Sequence, residues 1–419
     1  MPDGDLDLSL KTVSRIADVS AEGWDACARP HEPGSNPFLA HAFFHAAEAS
    51  GSAVRGTGWQ AQHLVAEDGG GRIVGAVPLY LKGHSYGEYV FDWSWADAYE
   101  RAGGRYYPKL QSAVPFTPVT GPRLLLHPAA GSEVAEVLVN GLLEITRRSK
   151  VSSLHVTFPT RADWDLFARH GFLLREGQQF YWNNPGYESF DDFLAELSSR
   201  KRKMIRKERA QVAEMGITIE TLNGAAIQPE HWDAFFDFYM DTAGRKWGQA
   251  YLTRDFFDRL GATLADSVVL VIAYRKGRPI AGALNMAGAD ALYGRNWGAL
   301  EHHPFLHFEV CYYRAMDFAI ERGLKRVEAG AGGSHHKPAR GYMPSPTYSA
   351  HYIPDENFAK AVDRFLKAER RQIAQSREEI AQQAPFKRDN DGEFVTGIVC
   401  DGLDGSATDS HGRRFDEEP

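Results

Sequence analysis

Apolar residues fall into runs that alternate with strand period and runs that recur every three or four residues, and these interleave in the same order twice. In the first half the pattern predicts a strand over 10–19, a short helix carrying Trp24-Asp25-Ala26, and a helix over 38–50. A hairpin follows, QAQHLVAED and RIVGAVPLYLK, joined by a DGGG turn whose glycines supply the positive φ of a tight reversal. After an aromatic insertion come VTGPRLLL, a helix near 132–149, the strand SSLHVTF, the helix RADWDLFARHG and the strand FLLREGQQFYW. The second half predicts a strand over 217–222, then the helices PEHWDAFFDFYMDTA and TRDFFDRLGATLA. A three-strand meander follows (VVLVIAYRK, PIAGALNMAG, ALYGRNWGA), then a helix over 305–323 and the strand KRVEAG.

Three short matches keep this register. Trp24-Asp25-Ala26 answers Trp232-Asp233-Ala234, Leu39 with Phe43-Phe44 answers Leu252 with Phe256-Phe257, and Ile73-Val74-Gly75-Ala76 answers Ile280-Ala281-Gly282-Ala283. The offsets, 208, 213 and 207 residues, point to duplication of a unit of about 200 residues. Strand, two helices, antiparallel meander, helix, strand is the order of the GNAT acyltransferase fold. The expectation is an α+β chain of two tandem GNAT-like domains with mixed, mainly antiparallel sheets. The first unit spans 1–185. The second spans 186–385, with a basic connecting helix at 189–212 and an amphipathic C-terminal helix presenting Phe358, Val362, Phe365 and Ile373. Residues 386–419, rich in Asp, Gly and Ser, read as a flexible tail.

At 419 residues and 43% hydrophobic the chain supports two cores. A formal charge of −8 confines any nucleic-acid contact to a local patch. No apolar run reaches the roughly 18–20 residues of a membrane span, and the acidic N-terminus lacks a secretory pattern, so the expected compartment is the cytoplasm. Cys27, Cys311 and Cys400 form no CxxC pair and read as reduced thiols.

Several stretches together resemble the peptidoglycan biosynthesis/recognition family of FemAB-like predicted N-acyltransferases. They include NPFLAHAFFHAAEASGS (36–52), FDWSWADAYER (91–101), YYPKLQSAVPFTPVTGPRLL (106–125), LSSRKRKMIRKERAQV (197–212), PFLHFEVCYYRAMDFAIERGLKRVEAGAGG (304–333) and HKPARGYMPSPTYSAHYI (336–353). Fem-type relatives attach amino acids from aminoacyl-tRNA to peptidoglycan precursors, which implies amide formation on an amine.

Such chemistry needs a base, oxyanion donors and a groove for the activated donor. GNAT enzymes seat the donor pyrophosphate on a Gly-rich turn before a helix. Here Arg295 and Gly298 fit that pattern, but Leu300 stands where the second small residue belongs, so acyl-CoA is allowed only as a cosubstrate and no tightly bound cofactor is expected. Arg295–Ala299 also reads as a plain strand end. Glu309, on an apolar helix with Tyr312 and Tyr313, is the candidate general base or else a carboxylate complementing the helix dipole. His307 lies two residues, about 200°, round the helix from it. The candidate catalytic set is Glu309, His307 and Tyr312. Gly332, Gly333, His336, Lys337 and Arg340 belong to a glycine-rich basic loop that resembles the Lys- and Gly-bearing loop of Fem-type enzymes and suits an anionic group. Adjacent His335 and His336 point opposite ways in extended chain, so no metal site is expected.

Two further stretches carry candidates. The segment Phe91–Tyr107 sets Asp92, Asp97 and Glu100 among aromatic residues including Trp95, which reads either as core or as a pocket for a cationic amine acceptor. RKRKMIRKER (200–209) holds seven basic residues and one acid. Arg200, Lys201, Arg202, Lys203, Arg206 and Lys207 form either a solvated face or a tRNA phosphate patch. The expected function is N-acyl transfer from acyl-CoA or aminoacyl-tRNA to a small-molecule or cell-wall-precursor amine. The alternative is a non-catalytic module that recognises a cell-wall fragment or another anionic ligand.

Overall fold

In a computed structural model of the chain, residues 8–246, 250–332 and 336–389 are described. The first half supplies strands β1 (Ser9–Val13), β2 (Trp59–Ala61), β3 (His63–Glu67), β4 (Ile73–Val77), β5 (Leu79–Lys82), β6 (Lys109–Ser112), β7 (Leu125–Leu126), β8 (Leu154–Thr157) and β9 (Leu173–Asn183). The second supplies β10 (Ile217–Asn223), β11 (Val268–Arg275), β12 (Arg278–Ala287), β13 (Ala291–Ala299), β14 (Arg326–Glu328) and β15 (Met343–Tyr352). One sheet has the order β1-β3-β4-β7, the other β10-β11-β12-β13-β14-β9-β15-β8-β6-β5-β2. The two meet where the first hairpin bends. Pro78, which has no N–H to give a ladder, separates β4 from β5, and Gln62 separates β2 from β3.

The large sheet ties the halves together by exchanging strands. β9 pairs with β14 (Asn183↔Arg326 to Tyr181↔Glu328), and β15 pairs with β8 (Ser349↔Thr157 to Tyr352↔Leu154). β9 and β15 also pair with each other, from Met343↔Tyr181 to His351↔Leu173. Each half's last strand therefore completes the sheet of the other. The architecture is α+β, two tandem GNAT-like units joined by this exchange.

The three sequence matches occupy equivalent places. Trp24 sits on the helix Ala21–Ala28 and packs on Phe44 with ring centroids 5.3 Å apart; Trp232, on Pro229–Lys246, packs on Phe257 at 6.0 Å. Gly75 and Gly282 lie on β4 and β12, where an added Cβ would stand 2.9 Å from Val134 and 3.1 Å from Phe238, so each lets a helix approach its sheet. The helices His41–Ala49 and Arg254–Thr263 pack together, and the aromatic core runs continuously through both halves.

Several elements differ from the sequence expectation. The strand over 10–19 ends at Val13; a 3-10 turn over Ile16–Asp18 follows, then a helix that Ser20 caps through Gly23 N–H. VTGPRLLL yields only Leu125–Leu126, and the aromatic insertion contains the helix Trp93–Arg101. The connecting helix is two helices, Phe190–Glu196 and Ser199–Glu214, because Leu197 turns extended and bridges to Phe386. The expected Ser189–Asp192 capping box starts the first of them. Phe386, assigned to the tail, is thereby buried; residues 390–419 lie outside the described set. On the C-terminal helix Glu356–Gln382 the buried stripe is Val362 and Leu366, one turn apart, leaving Phe365 exposed. Among the described residues no helix is long and apolar enough to cross a membrane.

Candidate functional site

The site forms where two strands stop pairing. β13 and β14 run parallel only through Ala291↔Arg326, Leu292↔Val327 and Tyr293↔Glu328. β13 continues against β12 to Ala299, while the other chain turns away at Ala329–Gly330. Gly330 has φ +71°, and a Cβ there would lie 2.9 Å from Gly294 O, so this closest approach requires glycine. Beyond it a cavity of about 310 Å³ opens. Arg295, Asn296 and Trp297 line one wall, Ala329–Gly332 the other, and His307, Cys311, Tyr312, His336 and Lys337 the depth. Tyr89 and Pro118 from the first half close one side.

The helix beneath the cavity explains which of its side chains arrive. After Leu306–Phe308 it makes a π turn over Glu309–Tyr313 before resuming as α-helix over Arg314–Glu321. A π turn brings residues i and i+5 onto one face. His307 and Tyr312 consequently share the cavity face, with ring centroids 5.3 Å apart. Glu309 and Arg314 share another face. The Glu309 Oε1 accepts from Arg314 Nε and from Arg209 Nη2, both at 3.1 Å, and Arg209 also binds Asp317. Burial pushes the Glu309 carboxyl above its ordinary range, and the two arginines pull it back only in part. Glu309 does not line the cavity. It sits in an ion-pair cluster that fastens the basic helix to the central one.

Lys337 does line the cavity. Its side chain is buried (residue exposure 2%), and Nζ donates to Gly330 O at 2.8 Å. Burial lowers its pKa to about 8, slightly opposed by the nearby Cys311 sulfur. An ammonium carries three N–H groups, so two remain for the cavity. The Tyr312 Oη lies 2.8 Å from His336 Nε2, and burial keeps that phenol protonated well beyond the usual range.

Arg340 takes a different place from the one its sequence position suggested. Its guanidinium is buried, with Nη2 and Nε donating to Glu208 at 2.6 and 3.0 Å; Tyr313 Oη also donates to Glu208. A third nitrogen, Nη1, donates to His336 O at 2.9 Å, and the plane lies 3.4 Å from the Phe308 ring centroid. With its fork closed on Glu208, Arg340 positions the Lys337 loop against the helix Ser199–Glu214 and does not line the cavity.

Of the residues singled out by sequence, the cavity gathers Arg295, His307, Tyr312, Gly332, His336 and Lys337. Gly333 lies outside the described residues. Arg295 is anchored by its bond to Phe116 O and stacks over Phe38. Asp92 is buried in the first half, bound by Lys109 Nζ at 2.5 Å and Tyr106 Oη at 2.6 Å. Burial opposes its ionisation, but Lys109 and His155 hold it far below the carboxylate range. It is thus closed to an acceptor. Trp95 is core, against His351 at 4.9 Å and beneath Arg175. Asp97 is exposed and paired with Arg101. Arg200, Lys203, Arg206 and Lys207 are exposed on the basic helix, Lys201 and Arg202 are half-buried, and Arg206 binds Asp191. Before the central helix, Glu301 binds His303 and Arg275. Among the described residues no three His, Cys, Asp or Glu side chains gather to hold a metal ion. Sequence reasoning did not place Trp297 or Cys311 at the cavity; for Cys311 the available signal was its place four residues after His307.

The sequence profile of the peptidoglycan biosynthesis/recognition (FemAB-like) family matches residues 15–388. The chain belongs to that family. Its fold is similar to the crystal structure of FemX, with a TM-score of 0.53 and 13% identity over 82% of this chain and 98% of that one. A domain from Agrobacterium fabrum, described as the C-terminal DUF2156 domain of a lysylphosphatidylglycerol synthetase, is similar at TM-score 0.51 and 12% identity, covering 84% of this chain and 96% of that one. Among curated proteins none matches the chain in sequence. FemAB-like membership and these folds agree on the architecture.

Proposed function

We propose that this FemAB-like chain is an N-acyltransferase whose reaction takes place in the cavity between β13 and β14. One observation carries the reading: a buried lysine held on a glycine carbonyl at the splayed strand end, facing the same cavity as a hydrogen-bonded Tyr–His pair. The acceptor amine attacks the carbonyl carbon of the donor ester. The carbonyl electron pair moves to oxygen, where Lys337 N–H donors meet the developing charge. The Tyr312 oxygen takes the amine proton as its own proton passes to His336 Nε2. The intermediate collapses, the C–O bond to the donor breaks, and the proton returns to the departing alkoxide. An amide and an alcohol result. Tyr312 serves as a relay because its phenol stays neutral.

An aminoacyl-tRNA fits this site better than acyl-CoA. The turn expected to seat a pyrophosphate has Leu300 where its second small residue belongs and carries Glu301, whereas the helix Ser199–Glu214, tied to the Lys337 loop through Glu208 and Arg340, offers exposed cations for phosphate contacts. The acceptor is an amine of a cell-wall precursor, in keeping with the family. The test is release of labelled amino acid from charged tRNA onto a precursor amine, with acetyl-CoA as a parallel donor. Binding of precursor without turnover from either donor would favour the recognition reading instead.

A further inference from the structure

The transfer reaction draws on Lys337, Tyr312 and His336 and leaves the wall formed by β13 without a role. That wall carries a second cation, Arg295, and the side-chain amide of Asn296. Arg295 is half-buried; it gives one of its five N–H groups to Phe116 O and lies over the Phe38 ring, 5.6 Å from the centroid. A guanidinium held this way still has donors to offer. Thr242 also lines the cavity, buried at 5% exposure, and its hydroxyl has no hydrogen-bond partner among the described residues. A buried hydroxyl left without a partner marks a place where a polar group of a ligand belongs.

The charge balance selects a ligand. Arg295 and Lys337 both line the cavity, and among the described residues no Asp or Glu does. Glu328, whose charge reaches Arg295, is buried outside the lining and bonded to Arg326 Nε at 3.0 Å. Two cations facing one enclosed space attract an anion. A guanidinium fork matches a planar carboxylate, and the aromatic surroundings of Arg295 (Phe38, Tyr89 and Phe116) suit a flat monoanion better than a strongly hydrated phosphate. The same cations disfavour an ammonium, so an amine bound here sheds its proton more readily, as attack on a carbonyl requires. A carboxylate beside the amine meets both conditions: it pairs with Arg295 and leaves a neutral amine for Tyr312.

We propose that Arg295, with Asn296 and Thr242, binds a carboxylate carried beside the reacting amine, so that the acceptor presents an amino-acid centre with a free carboxylate and not an isolated alkylamine. This deepens the transferase reading and rests on it for its catalytic use. The test is calorimetric titration of the full chain, without donor, with norleucine, norleucinamide, hexanoate and adenosine monophosphate. Norleucine is expected to bind, and norleucinamide to bind on the order of tenfold more weakly. Arg295→Gln should weaken norleucine by a similar factor and leave norleucinamide within about twofold, because the lost contact is the one to the carboxylate. Should Arg295→Gln fail to fold, Arg295→Lys, which keeps the charge and loses the fork, should give the same pattern at smaller size. Equal binding of norleucine and norleucinamide, an equal loss of both in the variants, or no norleucine binding would overturn the proposal. So would binding of hexanoate without norleucine, which gives the carboxylate to the acyl donor, or of adenosine monophosphate in place of norleucine, which gives Arg295 to a phosphate. No donor enters this titration, so its result stands apart from that of any transfer assay.

Discussion

Phe43 and Phe256 hold the same place in the two halves, 213 positions apart, and they meet edge to face with ring centroids 5.7 Å apart. The duplicated units thus share one core as well as one sheet. Truncating either ring to Ala should cost about 3–5 kcal/mol, and the double variant should fall short of the sum by about 1 kcal/mol. Urea unfolding of the four proteins measures this. Because β9 and β15 cross between halves, a single cooperative transition is expected, and two separate transitions would contradict the shared-core account.

Lys337 sets a pH dependence. Its folded pKa of about 8 lies below the ordinary 10.5, so between those values the unfolded chain binds more protons and stability rises with pH. Below about 8 the buried charge costs roughly 3 kcal/mol, which Lys337→Met should recover. Transfer should decline as pH rises through about 8, where the ammonium is lost. A pH–rate profile paired with melting curves checks both signs.

In the first half, Lys109 is fully buried between Glu88 and Asp92, with Nζ–O distances of 2.7 and 2.5 Å. Burial disfavours its charge, yet the two carboxylates keep its pKa above the ordinary value. Lys109→Met strands two buried acids and should destabilise the chain by about 3–5 kcal/mol. Chemical denaturation gives the number.

Glu208 and Arg340 form a closed, bidentate pair that an amine cannot reproduce. Arg340→Lys should therefore lower stability by a few kcal/mol, on the order of a buried pair, and loosen the Lys337 loop. Amide hydrogen exchange across 336–342 should rise in that variant.

The sequence carried the fold a long way, because strand and helix periods and the repeated Trp, Phe-Phe and Gly positions report local packing that both halves share. It could not carry the strand exchange. β9 reads as the end of the first unit on any local criterion, and only its pairing with β14 and β15 shows otherwise. The glycine-rich loop was legible as a segment leaving a strand end, and its Gly330–Gly332 and Lys337 line the cavity. Glu309 was not, because a single π turn rotates it from the cavity toward Arg209 and Arg314, and ordinary helical spacing gives no sign of that turn. Arg340 failed for a related reason: its partner, Glu208, stands 132 positions away.

The most direct test of the mechanism is single-turnover transfer from charged tRNA to a precursor amine by the unaltered chain, Lys337→Met and Glu309→Gln, each checked for an intact melting transition. The account expects transfer by the unaltered chain, a loss of about 10²–10³ in Lys337→Met, and retained transfer in Glu309→Gln. Full activity in Lys337→Met, or its abolition in a folded Glu309→Gln, would contradict it.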